Sequence, residues 1–356
     1  MNIAAYLSGH GFGHAMRGSI TLGALSARIP DIKLHIKTTA PAWIFRDLPG
    51  DTHVYNTPVD VPPYQDDAFG LNTAATGENL RRWISRSKTW IHDESLWLRE
   101  NHIDVVFTDI SPWASAAAFE SGLPSVLTAN FTWDWIYENL TEDRDLFEPI
   151  IPILRKHYAK SDWIFTPEPA APITFSSYSI PVGMIGKQCP YTRERARKRL
   201  SLPQEVPLVL ITFGGIGARS FDYAKLNEMT DFIFLSTEPR RELNRCVSYD
   251  PRSIEHACLM QAADVVVAKL GYGTVVESIL HGTPILYTPR DNWPEHHILE
   301  NAVHKRIPAR SLPTEEFFAC DWLDSVSELL NSRRGESQCA YGADQIATML
   351  CFGLPR

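Results

Sequence analysis

The chain has 356 residues, 44% hydrophobic and 21% charged, with a formal net charge of −8. That is an ordinary globular composition, of a size for two domains. The acidic balance argues against a broad nucleic-acid or anionic-membrane footprint.

Residues 2–8 read as a buried strand that runs into a glycine-rich turn, and a helix is predicted over 14–28. Residues 32–37 alternate as a strand does, and a long helix is predicted over 78–100. Next come a strand at 103–108 and a helix over 112–120, with Pro112 at its start and Gly122 past its end. Another strand follows at 125–129. The linker is placed near 181–186, and a basic helix at 193–200 leads into a second run of elements. Strands are predicted at 208–213, 232–235, 264–268 and 284–287, with helices at 253–262, 274–281 and 344–350. Strands alternating with helices imply parallel sheets covered on both faces. The expected fold class is therefore α/β, with two Rossmann-like domains facing across a cleft. The N-terminal one covers 1–182 and the C-terminal one 183–334, and the helix of 335–356 is free to pack back on the first. Ligands of such folds bind at the carboxyl ends of the strands.

No run of residues approaches the ~20 apolar positions of a spanning helix. The cysteines, Cys189, Cys246, Cys258, Cys320, Cys339 and Cys351, contain no Cys-x-x-Cys pair. That fits reduced thiols, and the expected location is cytoplasmic.

Five segments carry candidate chemistry. The first is Ser8-Gly9-His10-Gly11-Phe12-Gly13-His14. Its glycines bring backbone amides close to a ligand, and the helix behind favours negative charge. It is not a dinucleotide fingerprint, because His14 stands where the third glycine belongs and no acidic residue ends the second strand. His10 and His14 stand four apart, but the glycines make a turn of this stretch and no metal is expected. The second is Asp109, at a strand end, which either points into the cleft or caps the next helix. The third is the run Ala129–Trp135, where Asn130, Trp133 and Asp134 form either core or a sugar-stacking wall. The fourth is Lys269-Leu270-Gly271-Tyr272-Gly273-Thr274, between a strand and a helix, an anion site by its glycines and helix N-terminus. Glu277 in that helix either binds a ribose diol or is a solvated residue near the helix start. The fifth is Arg290-Asp291-Asn292-Trp293-Pro294-Glu295-His296-His297, which suits sugar hydroxyls or a plain surface loop.

Together these segments resemble the GT-B glycosyltransferases, and most the glycosyltransferase-like N-terminal domain of plant L-arabinokinases. The resemblance rests on residues 9–17 (GHGFGHAMR), 128–137 (TANFTWDWIY, a strand and loop), 211–215 (ITFGG), 269–278 (KLGYGTVVES) and 289–302 (PRDNWPEHHILENA). The sugar-kinase half is missing, and its activity is not carried over. More distant similarity is to the lipid II N-acetylglucosaminyltransferase and to the UDP-sugar hydrolase of pseudaminic acid synthesis. The latter shares a G-H-x-x-R pattern, here Gly13 to Arg17.

The resemblance implies an enzyme that moves a sugar from a nucleoside diphosphate, UDP-linked, to a small-molecule acceptor. It implies no metal and no bound cofactor beyond the nucleotide-sugar co-substrate. His14 falls on the catalytic position as general base, with Asp109 orienting it and His10 as substitute. Gly214, Gly215, Lys269, Gly271, Tyr272, Gly273 and Thr274 are placed at the diphosphate, Glu277 at the ribose, and backbone near Tyr249 at the base. Arg290, Asp291, Glu295 and His296 fall at the donor sugar, though the family's paired Gln is absent. Arg17, Asn130, Trp133 and Asp134 are assigned to the acceptor. A hydrolase with water as acceptor, and a non-catalytic sugar-nucleotide binder, are the competing expectations.

Overall fold

A computed structural model describes residues 1–66, 68–214, 221–238, 243–290 and 292–352. Strands β1 (Asn2–Leu7), β2 (Lys33–Thr38), β3 (Thr52–Asn56), β4 (Val105–Asp109), β5 (Ser125–Thr128), β6 (Trp163–Pro167) and β7 (Ile180–Val182) form one parallel sheet. Their order is β3-β2-β1-β4-β5-β6-β7. Strands β8 (Leu208–Thr212), β9 (Ile233–Ser236), β10 (Cys246–Ser248), β11 (Val265–Ala268), β12 (Ile285–Tyr287) and β13 (Ala309–Ser311) form a second parallel sheet. Its order is β10-β9-β8-β11-β12-β13. The protein is thus α/β, with two Rossmann-like sheets.

The central strands are apolar on both faces because helices cover both faces. Every residue of β5, β8 and β11 is buried. Strands β3, β6, β7, β10 and β13 go beyond the sequence reading. β3, β7, β10 and β13 are exposed at the sheet margins and only three to five residues long. Short, polar or proline-bearing margins have little hydrophobic period to read. The helix predicted from 253 begins at His256, and the long helix starts earlier than expected, at Thr73 with Asn72 as its cap.

Each sheet order turns back beside its first strand: β1 lies between β2 and β4, and β8 between β9 and β11. Chain connections leave opposite faces of the sheet at such a point and open a crevice at the carboxyl ends. The register sets Leu7 beside Asp109 at one crevice and Thr212 beside Ala268 at the other.

The two halves meet across these crevices. The ring of Phe131 is 5.4 Å from that of Tyr272, and Arg306 pairs with Glu168 at 3.0 Å. Lys187 Nζ bridges Asp47 at 2.9 Å and Glu255 at 3.2 Å. The last helix, Gly342–Phe352, lies on the helix Gly13–Ser26, with Ile346 and Ala347 in the same buried cluster as Ala15 and Leu22. Gly342 enables this docking: its N–H donates to Met184 O, and a Cβ there would run into the Gly183 carbonyl. Among the described residues no helix is long and apolar enough to cross a membrane.

Candidate active site

β1 leads into the first glycine turn. Gly11 has φ +61°, a left-handed conformation that side chains disfavour, and a Cβ on Gly9 would overlap Thr39. The helix Gly13–Ser26 that follows has no side-chain cap and no acidic residue in its first turn. Its first N–H groups therefore lack intrahelical partners and face a site of positive potential.

His14 stands at this helix start and is 5% exposed. Its Nδ1 lies 2.8 Å from Asp109 Oδ1 and 3.1 Å from Arg17 Nη2. Arg17 grips both oxygens of Asp109, Nε to Oδ2 and Nη2 to Oδ1, each at 2.6 Å. An ionised carboxylate can only accept, so in the 2.8 Å contact with Asp109 Oδ1 the hydrogen sits on Nδ1. Nδ1–H donates to Asp109 Oδ1. Nε2 bonds no protein group among the described residues. Burial opposes charge on Asp109, but Arg17 and His14 outweigh it and hold the carboxyl below its ordinary pKa. Asp109 does not cap the next helix; Ser111 does, accepting from Ala114 N–H.

On the other half, β11 leads through Lys269 to the helix Tyr272–His281. Gly271 is its N-cap, and it too has no side-chain cap and no acidic residue in its first turn. Glu277 Oε2 is 2.5 Å from His256 Nδ1, and His256 Nε2 is 3.2 Å from Thr212 Oγ1. Burial disfavours charge on His256, but Glu277 beside it prevails and raises the pKa.

Between the two helix starts lies a cavity of about 390 Å³. His10, Gly13, His14 and Arg17 line it from one side; Gly214, Lys269, Gly271, Tyr272, Gly273, Thr274, Glu277, Arg290 and Glu295 line it from the other. The Arg290 guanidinium lies 4.3 Å from the Trp293 ring centre. Burial raises the pKa of Glu295, opposed in part by Arg290, Lys269 and His14. Burial, with His14, Lys269 and Arg290 nearby, pushes His10 well below its ordinary value, so its ring is neutral.

Several expected site residues are elsewhere. Tyr249 does not line the cavity, and its hydroxyl donates to Leu200 O at 3.0 Å. Thr237, Pro251 and Ile254 line that end instead. His296 is buried behind the loop, its ring 6.0 Å from Tyr287. The run 128–137 is not a strand and loop: a helix, Trp133–Glu138, follows β5, and its residues are core. Asn130 Nδ2 donates to Pro167 O at 2.5 Å and Pro169 O at 2.7 Å. Trp133 is buried and donates to Asp60 Oδ2 at 2.9 Å. Asp134 is fully buried and accepts from Arg155 Nε at 3.1 Å and Thr174 Oγ1 at 2.7 Å. These three side chains serve packing and bracing, because a buried polar group must be paired inside the protein. Gly215 and Asp291 lie outside the described residues. His256 went unread in the sequence: it lies inside a predicted helix, and its partner Glu277 is 21 residues away, so no local pattern joins them. Among the described residues no cluster of three or more His, Cys, Asp or Glu side chains is set to hold a metal.

Two facing Rossmann-like sheets with a cavity between their carboxyl ends make up the GT-B fold, the fold of a large class of glycosyltransferases. Phytolacca americana UGT2 complexed with UDP-2-fluoro-glucose and pterostilbene shares it, with a TM-score of 0.59 at 15% identity over 98% of this chain and 94% of that one. In sequence, the chain is similar to the L-arabinokinase of Arabidopsis thaliana, 26% identical over 308 residues, which are 84% of this chain and 29% of that protein. It thus spans less than a third of that relative's length. It is also similar to the UDP-N-acetylglucosamine–N-acetylmuramyl-(pentapeptide) pyrophosphoryl-undecaprenol N-acetylglucosamine transferase of Acetivibrio thermocellus, 28% identical over 176 residues, 44% of this chain and 47% of that enzyme. No protein-family model matches the chain.

Proposed function

We propose that the protein is a glycosyltransferase that moves a sugar from a nucleoside diphosphate sugar, UDP-linked, to a small-molecule acceptor, without a bound metal. The observation that carries this reading is the opposition within one cavity: the His14–Asp109–Arg17 cluster on one wall, and an uncapped helix start with Glu277 on the other. The UDP donor named for the Acetivibrio enzyme, and the UDP-sugar held by the plant neighbour, support the choice of nucleotide.

In this reading the diphosphate lies at the N–H groups of residues 272–274, with Lys269 and Arg290 near it. Both features favour negative charge, which grows on the leaving group as the glycosidic bond breaks. Glu277, held by His256, accepts hydrogen bonds from the ribose hydroxyls. Glu295 and Arg290 contact the donor sugar. The acceptor hydroxyl attacks the anomeric carbon, the carbon–oxygen bond to the diphosphate breaks with its electron pair leaving on oxygen, and the hydroxyl proton passes to His14 Nε2. Asp109 holds the ring in the tautomer that a base requires and stabilises the imidazolium formed.

The test is His14→Gln assayed with donor and acceptor saturating. Turnover should fall by ~10²–10⁴ while UDP affinity stays within a few fold. Retained turnover removes His14 from the chemistry. Product analysis separates the readings: a glycoside means transfer, free sugar a hydrolase, and intact donor a binding protein.

A further inference from the structure

A second cavity, of about 590 Å³, opens on the other side of the glycine turn. His10, Gly11 and Gln65 line both cavities, so the two meet at the turn that carries His14. One wall is the loop 58–65; the other is the first half of the helix Thr73–Glu100. On that helix Asn79, Arg82, Trp83 and Arg86 line the cavity at spacings of three, four and seven, so they share one face. The Arg86 guanidinium lies 5.1 Å from the Trp83 ring centre and makes no ion pair among the described residues. Arg82 pairs with Glu78, both of them exposed. At the inner end Asp60 is 6% exposed, and its Oδ2 accepts from Trp133 Nε1 at 2.9 Å. The ring of Trp133 in turn lies 5.7 Å from that of His10. The cavity therefore has a basic mouth and an acidic inner end, the latter close to the turn that joins it to the donor side.

We propose that this second cavity is the acceptor site, and that it selects a small hydroxylated molecule bearing an anionic group, phosphate or carboxylate. The proposal rests on the glycosyltransferase reading above and supplies the acceptor residues that Asn130, Trp133 and Asp134 do not. Two guanidinium groups one helical turn apart suit a phosphate or carboxylate, which takes forked N–H donors. Asp60 and Gln65 face the ligand's hydroxyls and bring one toward His14. An apolar aglycone or a lipid chain would strip water from Asp60, Gln65 and Asn79 without replacing its hydrogen bonds, which is costly.

The test is calorimetry of the full chain, with 1 mM UDP present, against glucose, glucose 6-phosphate, glucuronate and octyl glucoside. At least one of the two anionic sugars should bind at least tenfold more tightly than glucose, and less tightly as salt is added. Octyl glucoside should bind no better than glucose, and the comparison of the two anions tells phosphate from carboxylate. The double variant Arg82→Gln, Arg86→Gln should lose the anion preference while keeping wild-type UDP affinity and melting temperature, because both side chains are exposed. The proposal is overturned if glucose binds as tightly as both anions, if octyl glucoside binds best, if neither anion binds, or if the double variant keeps the preference. Failure of the donor reading shows separately, as absent UDP binding with anion binding intact.

Discussion

Replacing Asp109 with Asn keeps the shape of the side chain and removes its charge. The carboxylate is fully buried and takes donors from three atoms: Arg17 Nε, Arg17 Nη2 and His14 Nδ1. An amide has one oxygen, so at least one of these donors would face an NH₂ group. Arg17, 6% exposed as a residue, would then hold a buried charge without its counter-charge. Breaking a buried pair in this way costs about 3–5 kcal/mol, to be read by urea unfolding at pH 7. The loss should depend on pH. The folded pKa of Asp109 lies below its unfolded value, so its stabilisation is complete above the unfolded value of ~4 and is lost as pH falls through the folded one. The stability gap between wild type and Asp109→Asn should therefore hold from pH 7 to about 5 and narrow below about 4. Turnover should fall with it by ~10²–10⁴, since a ring no longer tied at Nδ1 loses the tautomer that leaves Nε2 free. A gap under about 1 kcal/mol at pH 7, where a buried pair predicts several, would refute the reasoning. So would a gap that widens in acid, or turnover close to wild type.

On the donor side, Glu277→Ala should weaken UDP by about 1–3 kcal/mol, the range for hydrogen bonds involving a charged group. Unchanged affinity in calorimetry, with the fold intact, rejects the ribose assignment. The folded pKa of His256 is raised by Glu277, so the pair's stabilisation is full below the unfolded value of ~6.5 and fades as pH rises through the folded one. The stability difference between wild type and His256→Gln should accordingly be largest near pH 6 and shrink in mild alkali; the opposite trend in thermal unfolding contradicts the pairing. Turnover should be complete in excess EDTA, with the two helix starts, Lys269 and Arg290 balancing the diphosphate; activity lost on chelation and restored by magnesium or manganese would show a metal-dependent step.

The sequence by itself determined the two-sheet α/β architecture, because buried parallel strands must be continuous apolar runs and their helices must alternate with them. The segments 105–109, 125–128, 208–212 and 265–268 meet that condition and need no partner to be recognised. It also marked both glycine turns, since a turn between a strand end and a helix start is a local feature. The pairings were settled only by tertiary structure. Asp109 reaches His14 because β1 and β4 are neighbours in the sheet order, which no spacing along 95 residues can show. His256 was invisible for the same reason. Asn130, Trp133 and Asp134 had the chemistry of a sugar site, yet they are spent on Pro167, Pro169, Asp60 and Arg155. Whether a polar side chain faces a ligand or braces the core depends on which partners the fold brings within about 3 Å, and that is a property of packing, not of order along the chain.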